Sequence, residues 1–356
     1  NEITNYSANI NKVNKYKFSK IKNFDLFIPD LFITKNKNYI FFNGKGDIFK
    51  LSKNLKILWK TNNYKKKEKK QGPIIRFVEY KNSIIVFDSL ANYYSLDLNT
   101  GELKWKKINN SPFNSQVKIY KNNIFLVDME DTLRCYSAIN GEEIWNYKSE
   151  TSFIKSTIKS SLIIKDNKVI FINSLGDINA LNLKNGNLLW QTSTQNNPVF
   201  EESFSIIYSD IISHEENIYL SNNRNEFFSI NTKNGSVNWI KDIGSILRPT
   251  AVGKLIFTIS SDGFLVILNK LNGQIVRSTN LKENLKNYDK DKNNFQGFVI
   301  AKDKILISQD GKIISVSIKS GQIEKIIKVD GSIISRPFIS NKEMIIVSKK
   351  FIRTFK

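Results

Sequence analysis

The sequence predicts an all-β fold, an eight-bladed β-propeller of four-stranded antiparallel blades, and three observations predict it. A strand–turn–strand unit recurs, clearest at Leu181 to Trp190, where alternating apolar residues enter a Lys-Asn-Gly turn and a second apolar run ends in tryptophan. Successive turn glycines from Gly101 to Gly321 lie 40, 45, 49, 38 and 48 residues apart, a period that suits a four-stranded blade and exceeds a leucine-rich repeat. An alternating segment near the start, Tyr16 to Ile21, has no neighbour to pair with, while the end of the chain supplies only three strands of a last blade. Pairing the two would remove the exposed edges of an open ring. Seven blades is the alternative count.

In chain order, residues 1–13 read as a polar arm or linker and 14–356 as a single propeller domain. The first copy runs through Tyr39–Phe42 and Gly46–Leu51 to Trp59, with Asn54 standing where glycine is expected; asparagine is the next best residue for a left-handed turn. Copies two to five carry Gly101 with Trp105, Gly141 with Trp145, Gly186 with Trp190 and Gly235 with Trp239. Copies six and seven keep Gly273 and Gly321 but place Arg277 and Lys325 where tryptophan is expected. Segments such as Ser245–Thr250 and Ser332–Phe338 supply the remaining strand, their prolines fitting a strand start, where a missing N–H costs little. The tryptophans read as wedges between twisted neighbouring sheets and not as ligand-binding groups.

A formal charge of +21 would attract polyanions. Lysine, asparagine and isoleucine are abundant throughout, and the charge is not gathered into one arm or helix, so the bias reads as compositional and no nucleic-acid partner is expected. The densest run, Lys65 to Lys70, reads as a solvated loop. No apolar run is long enough to cross a bilayer as a helix. The sequence opens on Asn1 without a signal peptide, which fits a processed chain; an exported precursor with a lipid-modified cysteine stays open.

No catalytic constellation emerges. A single cysteine, Cys135, excludes an internal disulfide and reads as a buried inert thiol. His214, the one histidine, excludes a multi-histidine metal site and reads as a solvated loop residue beside Glu215 and Glu216. The stretch from Asp289 resembles the start of a calcium loop, but Asn294 and Ile300 occupy positions that need glycine and glutamate. Asp128, Glu130 and Asp131 read as a solvated hairpin tip, with cation or basic-partner binding as the other reading. No metal and no cofactor are expected.

The repeated pattern Ala/Ser-Leu/Ile-Asp/Asn-x-x-Asn/Thr-Gly-x-x-x-Trp resembles the pyrroloquinoline-quinone-type propeller repeat over nearly the whole chain. Two families share it, the quinoprotein dehydrogenases and the BamB family of outer-membrane protein assembly factors. The first implies a longer chain, typically a vicinal cysteine pair, and acidic and amide ligands to a calcium-bound cofactor. The second fits the length, the blade count and the stretch from Gly321 to Pro337, which is similar to that family's last complete repeat.

The BamB resemblance implies a non-catalytic scaffold, monomeric, held in the periplasm at the outer membrane by an N-terminal lipid. Its implied partners are the periplasmic domains of BamA and unfolded outer-membrane proteins. It also implies a contact loop after the third tryptophan, here Phe153, Ile154 and Lys155, with Lys155 a weaker bidentate donor than the family's arginine. Glu201 and Glu202 lie near the acidic half of that site but displaced from it. A propeller enzyme and a generic binding module remain the other readings.

Overall fold

The computed structural model describes residues 6, 11–18, 21, 31–152, 159–195, 206–283, 295–340 and 342–356. The chain forms an eight-bladed β-propeller of four-stranded antiparallel sheets. Blades 1 to 7 take residues 32–62, 75–108, 118–148, 162–193, 212–242, 250–280 and 295–328, each with its strands in sequence order. Blade 8 takes Phe338–Ser340, Glu343–Val347 and Phe351–Phe355 and is completed by the N-terminal strand Lys12–Lys17, antiparallel to Phe351–Phe355. The pairing of the two chain ends is as expected, but the strand begins at Lys12 instead of Tyr16. Phe18 and Ile21 follow it into the core, bonding through their backbone N–H groups to the carbonyls of Lys350 and Lys349.

Second and third strands are apolar on both faces because they are sandwiched between neighbouring sheets, whereas fourth strands alternate and expose one face. The prolines lie just ahead of the next blade: Pro249 precedes Thr250–Val252 and Pro337 precedes Phe338–Ser340. The lysine-rich run is a correction to the loop reading. Lys66–Gln71 is a short helix, entered through a bond from the Lys65 N–H to Glu68 and ended by Gly72 at φ 65. Its run of strong helix formers, with an acid in the first turn and lysines in the last, favours that outcome.

The turn between third and fourth strands recurs in detail. In blade 4 the Asn182 N–H donates to the Asn187 carbonyl, the Gly186 N–H donates back to the Asn182 carbonyl, and Gly186 sits at φ 74. In blade 1 the shorter turn puts its left-handed residue at Leu55, φ 60, and not at Asn54. Burial of Leu55 among Phe41, Phe49 and Leu51 offsets the roughly 1–2 kcal/mol that the left-handed conformation costs a residue with a Cβ.

Trp105, Trp145 and Trp190 each lean on the turn glycine of the next blade. A Cβ built on Gly141, Gly186 or Gly235 would stand 2.7, 2.5 or 2.6 Å from the rings of Trp105, Trp145 and Trp190 respectively. The glycine is thus required twice, for φ > 0 and for close approach. Trp190 adds a hydrogen bond from its indole N–H to the Thr232 carbonyl at 3.1 Å. Where Arg277 replaces tryptophan, its guanidinium makes the corresponding bond to the Ile318 carbonyl at 2.7 Å. Between blades 7 and 8, Tyr6 is fully buried and packs in a cluster with Leu306 and Ile313 of blade 7 and Met344, Ile346 and Phe355 of blade 8.

The chain divides into two compact units, Asn1–Ile74 with Thr250–Lys356, holding blades 1, 6, 7 and 8, and Ile75–Pro249, holding blades 2 to 5. In the second unit the first strands of consecutive blades lie side by side. The charge divides along the same line. The first unit carries 36 Lys and Arg against 14 Asp and Glu, the second 18 against 19. The charge is not gathered into one arm or helix, but the lysines are unevenly divided, 33 in the first unit and 14 in the second, so the net charge resides in one unit.

Replacing Trp190 with Ala is expected to cost about 3–5 kcal/mol in urea unfolding. Gly186→Ala, whose Cβ would have Trp145 ring atoms as its three nearest neighbours at 2.5, 2.8 and 3.0 Å, should be strongly destabilising in the wild-type background and cost only the left-handed strain of about 1–2 kcal/mol once Trp145 is Ala. Additive costs would contradict the ring-on-glycine contact.

Candidate functional site

Phe153, Ile154 and Lys155, and likewise Glu201 and Glu202, lie outside the described residues, as does the calcium-loop-like stretch 289–294. What the structure gives is the corner to which both candidate segments are attached. That corner is built on the turn from Asn173 to Asp177 between the second and third strands of blade 4. Asn173 organises the turn, its Oδ1 accepting from the Leu175 N–H at 3.1 Å and the Asp177 N–H at 2.8 Å, and its amide donates to the Glu150 carbonyl at 3.1 Å.

The chain leading to Phe153 is fastened to one side of this turn. The Ser152 N–H donates to Ser174 Oγ at 2.8 Å, and Ser174 is held in turn by Asp131 of blade 3. The Asp131 carboxylate accepts from the Ser174 N–H at 3.0 Å, from the Ser174 hydroxyl, and from the Thr151 hydroxyl at 2.7 Å. Asp131 is buried and left-handed at φ 55. The chain leading to Glu201 is fastened to the other side. The Thr194 hydroxyl donates to the Gly176 carbonyl at 2.7 Å and the Gln195 amide donates to the Leu175 carbonyl. Tyr208, just after the second segment, meets Thr194 Oγ1 at 2.7 Å, and burial pushes its phenol up to about 12.

Both segments also return to one cavity of about 60 Å³, whose walls include Lys159, Ser174, Ile206 and Tyr208. The two stretches singled out from sequence thus leave and rejoin the fold at a single corner of blades 3 and 4. Position along the chain gives no hint of this, because the corner is made by a turn between them.

Asp128, Glu130 and Asp131 are not a solvated tip. Asp128 and Asp131 are buried and only Glu130 is exposed. Asp128 accepts from the N–H groups of Glu130 and Thr132 with one oxygen and from the Arg134 Nε–H at 2.7 Å with the other. The same device recurs at Asn43, Asp88, Asn173 and Asn222, each accepting the N–H groups two and four residues on. An Asp or Asn four residues before the third strand is the sequence signal for it in blades 1 to 5; in blade 6 Ser260 stands there and accepts the Phe264 N–H. No group of His, Cys, Asp and Glu among the described residues is arranged to hold a metal ion.

His214 ends the strand Ile212–His214 instead of lying in a loop, with its Nδ1 3.8 Å from Glu215 and its side chain 21% exposed. Cys135 is fully buried in Thr132–Ser137, as expected, and burial pushes its thiol up to about 12, with Glu143 adding to the shift.

Two outcomes follow. Asp131→Ala strips three donors of their acceptor and should cost about 1–3 kcal/mol, read from the urea midpoint at constant slope. Because its thiol stays protonated in the folded state, Cys135 should resist iodoacetamide at pH 8 and react only on unfolding; modification under native conditions would contradict its burial.

An uncharacterized protein of Rickettsia prowazekii is 23% identical over 290 residues, 76% of this chain and 66% of that protein, so the chain spans just under two thirds of this relative's length. An outer membrane protein assembly factor BamB from Legionella pneumophila is 25% identical over 128 residues, 35% of this chain and 30% of that one. The crystal structure of BamB from Moraxella catarrhalis superposes with a TM-score of 0.78, covering 98% of this chain and 99% of that one at 14% identity, a likeness of fold. A family model described as outer membrane protein assembly factor BamB matches residues 44–279, and the chain belongs to that family.

Proposed function

We propose that this chain is a non-catalytic scaffold of outer-membrane β-barrel assembly, binding the periplasmic domains of BamA and helping to deliver unfolded outer-membrane proteins. One observation carries the reading: the two candidate contact segments are anchored to the same turn, Asn173 to Asp177, and to the same cavity. A partner that reads both needs them side by side. The family match and the BamB relative support a role in outer-membrane protein assembly; a periplasmic place at the outer membrane, held by an N-terminal lipid, is part of the same proposal.

In this account Phe153 and Ile154 bury apolar surface against BamA, Lys155 meets an acidic group, and Glu201 and Glu202 meet basic ones. Burying an aromatic and an aliphatic anchor within a charged rim is the common composition of an interface hot spot. The propeller supplies rigidity, so that little conformational entropy is lost when the segments are engaged.

Pull-down with purified BamA periplasmic domains tests this. The wild-type chain should be retained and an Ile154→Asp, Lys155→Glu variant should lose at least ten-fold in affinity. A Glu201→Lys, Glu202→Lys variant should lose a smaller factor. Equal retention of all three proteins would dismiss the site.

A further inference from the structure

The unit formed by Asn1–Ile74 and Thr250–Lys356 holds the molecule's whole charge excess, 36 basic against 14 acidic residues. Eight of its lysines are displayed at one end of its blades. In an antiparallel four-stranded blade, the turn joining strands one and two and the turn joining strands three and four lie at the same end. In blade 1 these turns present Lys35 and Lys37, then Lys53 and Lys56, all exposed. At corresponding turns, blades 6, 7 and 8 present Lys254, Lys302, Lys319 and Lys342, also exposed. Asp303 is the one exposed acid among the described residues of these turns.

The other unit is an internal control. The same turns in blades 2 to 5 present Lys81, Lys121, Lys184 and Lys233, countered by Glu102, Glu142, Asp166, Glu215 and Glu216. Backbone geometry and turn chemistry are shared between the units, but the first unit has 33 lysines against 14 in the second, and only in the second do exposed acids of comparable number stand at these turns.

We propose that the lysine-bearing turn end of blades 1, 6, 7 and 8 docks on an anionic phospholipid surface. Three features favour such a surface over other polyanions. The charges stand on separate turn tips, so they meet a spread of phosphates better than a single anion. They are all ammonium groups, point charges without the planar fork that guanidinium offers for paired recognition of one phosphate or carboxylate. The blade 1 turns Thr34 to Asn38 and Ser52 to Lys56 carry no aromatic ring on which a base could stack. Each lysine near an anionic leaflet contributes a modest attraction that falls off within a Debye length, so several must act together.

This inference stands apart from the BamA reading, and its test contains no BamA. The full chain is sedimented with vesicles containing about 30% phosphatidylglycerol, or with phosphatidylcholine vesicles, from about 0.05 to about 0.5 M salt. Two variants with equal charge change are compared: Lys35→Glu, Lys37→Glu, Lys53→Glu, Lys56→Glu in blade 1, and Lys81→Glu, Lys121→Glu, Lys184→Glu, Lys233→Glu in blades 2 to 5. Matching circular dichroism and Tm confirm that each is folded. Wild type should bind the anionic vesicles alone and be released by salt. The blade 1 variant should lose at least ten-fold in partitioning, the control no more than about two-fold. No binding above the phosphatidylcholine level, or equal losses in the two variants, overturns the proposal. So does binding to polyglutamate or single-stranded RNA without binding to vesicles, which would assign the surface to an acidic macromolecule.

Discussion

The contact between a tryptophan ring and the turn glycine of the following blade is the constraint on which much of the structure rests. A twisted sheet cannot lie flat on its neighbour, and the wedge left between two sheets must be filled by something large and flat. The ring can approach the neighbouring turn only where that turn has no Cβ, and the turn itself needs a residue at positive φ. One glycine meets both demands, which is why glycine and tryptophan recur together. Where blade 6 lacks the tryptophan, Arg277 takes its place and reproduces the hydrogen bond to the next blade.

The strands, the repeat and the blade count were legible because each depends on local patterning: period-two apolar runs and glycine turns at a steady interval. The order of contacts was not. That Trp145 rests on Gly186 and Trp190 on Gly235 is a fact about neighbouring blades and has no local signature. The left-handed residue of the first copy was misplaced by one position because side-chain propensity favours Asn54, while burial of Leu55 in the core decides the matter. The helix at Lys66–Gln71 was hidden by its charge, which suggested a loop although its residues are good helix formers.

The candidate site was legible only in part. Its apolar and charged residues could be located along the chain by resemblance, but their common attachment could not, since Ser152, Ser174 and Asp131 come from separate stretches. Asp131 is the instructive case. Next to Asp128 and Glu130 it looks like a solvent-facing acid, yet its carboxylate is consumed by the turn that anchors the first segment. The charge pattern is a second case. Residues 1–74 and 250–356 are far apart in sequence, and only their association in one unit makes their shared excess of lysine visible.

A corner of blades 3 and 4 to which two chain segments are fastened on either side of one turn is suited to recognising another protein. Hydrogen exchange of the chain with and without BamA periplasmic domains tests that account most directly. It predicts new protection at Thr151 and Ser152, at the turn from Asn173 to Asp177 and at Thr194 and Gln195, with the other second-to-third-strand turns unchanged. Protection confined to other blades, with this corner unaffected in the complex, would contradict it.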